Sequence, residues 1–235
     1  MSFGTPVESV ETNADGVAIT VTGANGSERF EGSYLVGADG GRSLVRKALN
    51  IAFDGYTFPE RFLVLTTPFD FGTEHGVAFR AYFSDPDEWA NLFKVAGDDG
   101  KGRWRAVFPT LPGQTDEEVM SDEACESRLQ KFFPKTGRYD IFHRNIYRVH
   151  QRVAVRFREG RVFLAGDSAH VNNPIGGLGL NSGIHDATHL AELLADVRAG
   201  KRPESVFESY DAIRRPTNIE YVQQQTIANK KRLEE

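Results

Sequence analysis

The chain has 235 residues, of which 28 are Lys or Arg and 33 Asp or Glu, giving a formal net charge of −5. Scattered basic residues on an acidic background argue against nucleic acid as a partner, and no apolar run reaches the length of a membrane span. The single cysteine rules out an intramolecular disulfide and argues against a thiolate metal centre; with no basic-then-apolar leader, the expected compartment is the cytoplasm.

Residues 7–10, 17–21 and 34–36 read as strands, separated by polar turns at Asn13-Ala14-Asp15-Gly16 and Gly23-Ala24-Asn25-Gly26. The first two should pair as a hairpin or meander. The third is short and apolar and runs into Gly37-Ala38-Asp39-Gly40, the profile of a buried parallel strand. A short helix is expected over 43–49, with Leu44, Val45 and Leu49 inward and Arg46 and Lys47 outward. From about 53 to 153, apolar runs (62–66, 77–83, 89–95, 103–108) alternate with polar turns such as Gly97-Asp98-Asp99-Gly100. One helix over 122–133 carries Ala124, Cys125, Leu129 and Phe132 on an apolar stripe, and a strand runs over 139–149. This is the texture of an antiparallel sheet with a helix. Residues 162–165 form another buried strand, and a helix over 178–197 stops near Gly200. A last helix over 204–229 enters through Pro203 and should break near Arg215, ahead of Pro216. Its end, Lys230-Lys231-Arg232, reads as a solvated face.

The most informative stretch is 160–181, GRVFLAGDSAHVNNPIGGLGLN. Strand, acidic turn, glycine loop and helix N-terminus follow in that order, which is how α/β folds build nucleotide-cofactor sites. Gly166 lets the backbone pass close to a ligand, and Asp167 suits a ribose or ribityl hydroxyl. Pro174 stiffens the loop, while Gly176, Gly177 and Gly179 clear side chains from the path of a flat ring. Asn181 offers a donor and an acceptor. A helix N-terminus here favours the anion of a reduced flavin. The bland alternative is a loop and a turn residue; the coincidence of all these features after one buried strand favours the cofactor. Gly177-Leu178-Gly179-Leu180-Asn181-Ser182-Gly183 is one residue too long for the dinucleotide fingerprint and follows a loop instead of a strand. His185 and His189 stand at i, i+4 with Asp186 beside the first, but lack a third ligand, so no metal is expected. Ser168 near His170 lacks the G-x-S-x-G context of a nucleophile.

These residues resemble the single-component, FAD-dependent aromatic hydroxylases, the flavoprotein monooxygenases that include para-hydroxybenzoate hydroxylase and phenol hydroxylase. Gly166-Asp167-Ser168-Ala169-His170 with Pro174 and Gly176-Gly177-Leu178-Gly179-Leu180-Asn181 is similar to the family's GD motif. Asp39-Gly40-Gly41-Arg42-Ser43-Leu44-Val45-Arg46 is similar to its DG motif, and Arg214-Arg215-Pro216 to a feature of its late helix. Ser168 stands where alanine is usual. The resemblance implies that Asp167 touches the ribose or ribityl end of FAD. Residues 174–181, Leu180 included, line the isoalloxazine. Asp39 and Gly40 lie near the pyrophosphate, with Arg46 supporting their turn and NAD(P)H access. It implies hydroxylation of a phenol-like ring by molecular oxygen, with NAD(P)H as reductant.

The implied fold is α/β plus α+β: a partial Rossmann-like FAD-binding domain with C-terminal helices (1–52 and 154–235) and an inserted antiparallel substrate-binding sheet (53–153). Arg105, His143, Tyr147, His150 and Gln151 are candidates to orient or deprotonate the aromatic substrate, or else cross-strand pairs on a wet face. The family's first fingerprint, a strand followed by G-x-G-x-x-G, has no counterpart here. Weak or no flavin retention is therefore expected of this chain by itself, and strands 34–36 and 162–165 are expected to lack neighbours unless another chain supplies or covers them. The competing expectations are a non-catalytic module binding a ligand or partner, and a different flavin-dependent reaction on the same scaffold.

Overall fold

The computed structural model describes residues 1–24, 26–85, 88–97, 99–111 and 113–234; Asn25 and Asp98, each inside an expected turn, lie outside the described residues. Helices and sheets are mixed, and the chain packs as two compact units, Met1–Tyr56 with His150–Ile227 and Thr57–Val149 with Ala228–Glu235.

The first unit opens with an antiparallel meander of β1 (Val7–Thr12), β2 (Val17–Gly23) and β3 (Gly26–Gly32). Asn13 closes the first turn, its Oδ1 accepting the N–H groups of Asp15 and Gly16 at 2.9 Å each, an Asx turn. β3 was not expected. Its sequence, GSERFEG, is exposed throughout and is held by the ladder to β2 and by Arg29, which pairs with Glu11 of β1 at 2.9 Å, so it leaves no apolar alternation. β4 (Leu35–Gly37) leads into α1 (Leu44–Ala48).

Later in the chain, β10 (Arg158–Glu159) and β11 (Val162–Leu164) complete a sheet of order β10-β11-β4. β11 runs parallel to β4 through Val162↔Leu35, Phe163↔Val36 and Leu164↔Gly37. The expectation that both strands lack neighbours is thus corrected: they pair with each other, and β11 is flanked on both sides. Behind them lie α5 (Leu178–Arg198), a 3-10 turn (Glu204–Phe207) and α6 (Glu208–Pro216). Val162, Phe163 and Leu164 pack with Val45, Ile51, Leu190, Leu193, Phe207 and Tyr210. Pro216 ends α6 without stopping the chain's coiling. The next seven residues, Thr217–Gln223, form a π-helix that runs into α7 (Gln224–Glu234).

Two long strands, β5 (Phe53–Thr67) and β9 (His143–Ala154), carry the chain between units. In the second unit they join β8 (Arg103–Pro109), β7 (Ala90–Val95) and β6 (Arg80–Phe83) in the order β9-β5-β8-β7-β6. One sheet face sends Leu63, Leu65, Leu92, Trp104, Ala106 and Phe108 into a core shared with α2 (Phe71–His75), α3 (Asp116–Met120) and α4 (Asp122–Phe132). β9 begins at His143, later than expected, because Tyr139 is drawn into that core and its hydroxyl donates to Phe133 O at 2.5 Å. Among the described residues, no helix is long and apolar enough to cross a membrane.

Candidate functional site

Because β4 and β11 are adjacent and parallel, the turns that follow them open at the same end of the sheet, where open α/β sheets place their ligands. Three hydrogen-bonded links stitch the two turns together. Ala165 N–H donates to Gly37 O at 3.0 Å. The Ser168 hydroxyl meets Gly37 O and accepts from Ala165 N–H at 3.1 Å. Arg46 donates from Nη1 to Ser168 O at 2.7 Å and from Nη2 to Gly41 O at 2.8 Å. The Arg46 guanidinium also lies 3.8 Å over the Phe53 ring. Arg46 is only 4% exposed, which corrects its expected outward placement. The turn carbonyls would otherwise be buried without donors, so the side chain folds inward to reach them. Burial lowers its pKa against the opposing pull of Asp39.

The first turn is shaped by its own side chains. Asp39 Oδ2 accepts from Val45 N–H at 3.0 Å, and Ser43 Oγ from Arg46 N–H at 2.9 Å, capping α1. Gly40 has φ +79° with open space where a Cβ would stand. In the second turn, Gly166 has φ +62° and Asp167 is exposed. β12 (His170–Val171) then pairs with the end of β9 through His170↔Val153 and Val171↔Arg152.

The loop beyond β12 is anchored at its root. Asn173, fully buried, donates its N–H to Gln151 Oε1 at 2.9 Å and accepts from Ile175 N–H on its Oδ1 at 3.0 Å. Gln151 Nε2 reaches Thr226 Oγ1 at 2.9 Å and Gln223 O at 3.3 Å. Gln151, expected from sequence to meet a substrate, is instead fully buried, its whole amide committed to holding the loop to the C-terminal helix. Ile175 is buried as well, while its neighbours turn outward. Pro174 and Gly177 are exposed, Gly177 N–H closes a turn onto Pro174 O at 3.0 Å, and Gly176 and Gly177 have φ +97° and +67°. α5 starts from Gly177, which makes no side-chain cap, with no acid in its first turn, so among the described residues its N-terminal end is left without a capping side chain. Gly179 packs closely on Asn172, whose Oδ1 lies 3.1 Å from an added Cβ. Asn181 Nδ2 donates to Gly177 O at 3.3 Å, and Leu180 is 77% exposed.

Sequence reasoning passed over two residues of α5 that share one face. A Cβ on Gly183 would stand 3.4 Å from Gly166 Cα, so this glycine lets the helix seat against the second turn. Asp186, beside it, is fully buried and accepts from Gly166 N–H. The i, i+3 spacing was their one sequence signal. His185 is exposed, and among the described residues no cluster of His, Cys, Asp or Glu could hold a metal ion.

In the second unit the sheet face opposite the packed core is now identifiable. Arg105 pairs with Thr66 and Phe93, and Val107 with Val64 and Asn91, so these residues lie opposite the packed core face. Tyr147 belongs to the same face, edge-on to Phe62 with ring centroids 5.6 Å apart. By alternation His143 shares that face and His150 does not. Arg105, His143 and His150 are exposed, and Tyr147 is half-buried. Burial pushes the Tyr147 phenol up to about 12. Asn91, not expected from sequence, presents a buried Oδ1 without a hydrogen-bond partner among the described residues.

Comparison with known proteins follows the same outline. A family described as "FAD binding domain" matches residues 1–225. Para-nitrophenol 4-monooxygenase of Pseudomonas sp. strain WBC-3 is 35% identical over 230 residues, covering 95% of this chain and 55% of that protein. The crystal structure of p-nitrophenol 4-monooxygenase from Pseudomonas putida DLL-E4 matches with TM-score 0.89 and 34% identity, over 98% of this chain and 58% of that one. Aklavinone-11 hydroxylase, in a ternary complex with FAD and aklavinone, matches with TM-score 0.88 and 28% identity, over 98% and 44%. The chain spans about half the length of these relatives.

Proposed function

This chain belongs to the FAD binding domain family, within the flavoprotein aromatic hydroxylases, and on that footing we propose that it serves the hydroxylation of a phenolic or other aromatic ring, dependent on FAD, NAD(P)H and molecular oxygen. One observation carries the reading. Two motifs far apart in sequence converge at the carboxyl ends of adjacent parallel strands, Arg46 bridging their turns, while the turn of the second motif is seated on a helix whose N-terminus lacks a side-chain cap.

The residues fit the cofactor. The open space at Gly40 leaves room at the backbone for a phosphate, and Gly176 and Gly177, half-buried and exposed, form the positive-φ turn that a planar group would approach. FAD, when bound, supplies hydride acceptance and oxygen activation. The chain's own part is orientation. Asp167 accepts a hydrogen bond from a ribityl or ribose hydroxyl. Residues 174–181 would line the ring, with Gly176 and Gly177 toward it and the first N–H groups of α5 favouring negative charge there; Gly179, packed on Asn172, shapes the helix start. Asp39 and Gly40 sit by the pyrophosphate. Arg46 holds the two turns together; buried as it is, we withdraw it from any part in NAD(P)H access.

Substrate recognition we assign to the sheet face of the second unit that carries Arg105, His143 and Tyr147. Tyr147, held protonated well above neutral pH, donates to a phenolic oxygen, Arg105 draws an anionic ring toward it, and His143 offers a hydrogen bond from the same face. The lone, buried Cys125 suits a reducing compartment, the cytoplasm.

Titration with FAD tests this reading. We expect saturable quenching of flavin fluorescence at one FAD per chain, with a Kd between about 1 and about 100 μM, roughly −8 to −5 kcal/mol. A Kd weaker than about 100 μM (about −5 kcal/mol) overturns the cofactor assignment. NAD(P)H oxidation against a panel of phenols, with a hydroxylated product sought, then separates hydroxylation from another flavin reaction.

A further inference from the structure

Asp186 joins three separate parts of the first unit through one carboxylate. Its Oδ2 accepts from Gly166 N–H at 3.0 Å and from His170 Nε2 at 2.6 Å, and its Oδ1 from Arg214 Nε at 2.7 Å. Arg214 turns its Nη2 to the carbonyl and hydroxyl of Ser182, each at 3.3 Å, and the Ser182 hydroxyl donates to Asn218 Oδ1 at 2.8 Å. All five side chains are buried or nearly so, and the His170 ring stacks on Phe157 at 5.8 Å. Burial opposes the charge on Asp186, but hydrogen bonds from His170, Arg214 and Gly166 more than offset it and hold the carboxyl below the ordinary range.

A charge is expensive to bury, and a well-packed apolar replacement often serves stability as well. The position of this one suggests what it does. Gly166 has φ +62° and no side chain to restrain it, so its backbone is free to vary. The next residue is Asp167, whose direction follows from that backbone. By gripping Gly166 N–H, Asp186 fixes the turn. By gripping His170 it fixes β12, the entry to the glycine loop. Asp186 itself rides on α5, the helix that closes the loop. One side chain thus locks turn, loop entry and helix N-terminus into a single arrangement.

We propose that Asp186 is a positioning residue for the cofactor, acting through Gly166-Asp167 and His170, with Arg214 as its counter-ion. This rests on the FAD reading above. The test compares FAD affinity in the wild-type chain, Asp186→Asn, Asp186→Ala, Arg214→Lys and Leu193→Ala, the last a core truncation on the same helix outside the network. Both Asp186 variants should bind FAD at least about tenfold more weakly, whereas Leu193→Ala stays within about twofold at a temperature where it is folded. Amide exchange at Gly166, read without flavin, should quicken in the Asp186 variants and not in Leu193→Ala. In the FAD-loaded protein, the flavin midpoint potential should rise in Asp186→Asn, because a negative charge is lost.

Failure of the wild-type chain to bind FAD overturns the cofactor reading and this proposal with it. Binding by the wild type, with unchanged affinity and Gly166 exchange in the Asp186 variants, overturns the proposal alone. If both Asp186 variants unfold, Arg214→Lys decides. It keeps the counter-charge but loosens the grip on the carboxylate, and should weaken FAD several-fold; unchanged affinity overturns the proposal.

Discussion

Asp70 ties together three parts of the second unit. Its Oδ1 accepts the N–H groups of Gly72 and Thr73 at 3.0 and 3.3 Å and Trp104 Nε1 at 3.0 Å, and its Oδ2 faces Lys94 Nζ at 2.9 Å. The Lys94 bond chiefly, with Trp104 and Thr73, holds this carboxyl at about 2. A carboxyl depressed on folding contributes stability that is complete above its unfolded value of about 3.9 and is lost as pH falls toward its folded value. The urea midpoint of the second unit, read by the fluorescence of Trp89 and Trp104, should therefore fall between about pH 4 and pH 2, and Asp70→Asn should remove much of that fall. An identical decline in both proteins would refute this. Ser168 offers a gentler case. Its hydroxyl reaches Gly37 O and Ala165, but Ala165 N–H keeps its own bond to Gly37 O. Ser168→Ala, the residue usual in the family pattern, should cost about 1 kcal/mol in chemical denaturation, and a loss above about 3 kcal/mol would show that the hydroxyl is indispensable. At this scale the linear pattern was least informative. Arg46 was placed outward and Gln151 toward a ligand because residue type suggests solvent or chemistry. Both are drawn inward by unpaired backbone groups supplied by segments distant in sequence.

Gly37 marks where three elements of the first unit meet. A Cβ there would stand 2.8 Å from Val45 Cβ and Cγ1 on α1 and 3.1 Å from Leu164 Cδ2 on β11. Gly37→Ala should destabilise by about 1–3 kcal/mol and weaken FAD binding, since the bridge from Arg46 depends on that spacing. Gly183→Ala, with 3.4 Å to Gly166 Cα, should be milder in denaturation; equal costs would mean that the two contacts relax alike. Elements with an apolar run were readable in advance: β11, the core strands of the second unit, α4 and α5, and β4, which pairs in parallel as expected but is not buried, its Val36 being 40% exposed. Those without one were not. β3 is exposed along its whole length, and α2 and α3, five residues each, show only their caps at Asp70 and Thr115. β5 runs well before residue 62 because its early half, with Gly55 and Pro59, has strand geometry without strand composition.

For the molecule as a whole, the motifs were legible because backbone-limited chemistry needs particular residues: glycine where φ is positive, an acid after a strand, an uncapped helix start. What no single motif carries is that the two belong to one site. That follows only from the parallel pairing of β4 with β11, which brings together turns whose bridging residues, Arg46 and Ser168, are 122 positions apart. Both turns lie in the first unit, while both tryptophans of the chain, Trp89 and Trp104, lie in the second. FAD bound at the turns stabilises the folded first unit by mass action, by about 2.7 kcal/mol at 100 times Kd. For a unit of this size that is a rise of roughly 5–10 °C in midpoint. The thermal transition followed by far-UV circular dichroism should shift upward by that amount, and the one followed by tryptophan fluorescence should shift less. No shift in either signal would remove FAD from the first unit. Equal shifts would show that the two units melt as one, and would leave the location of the cofactor to the Gly37 and Asp186 variants.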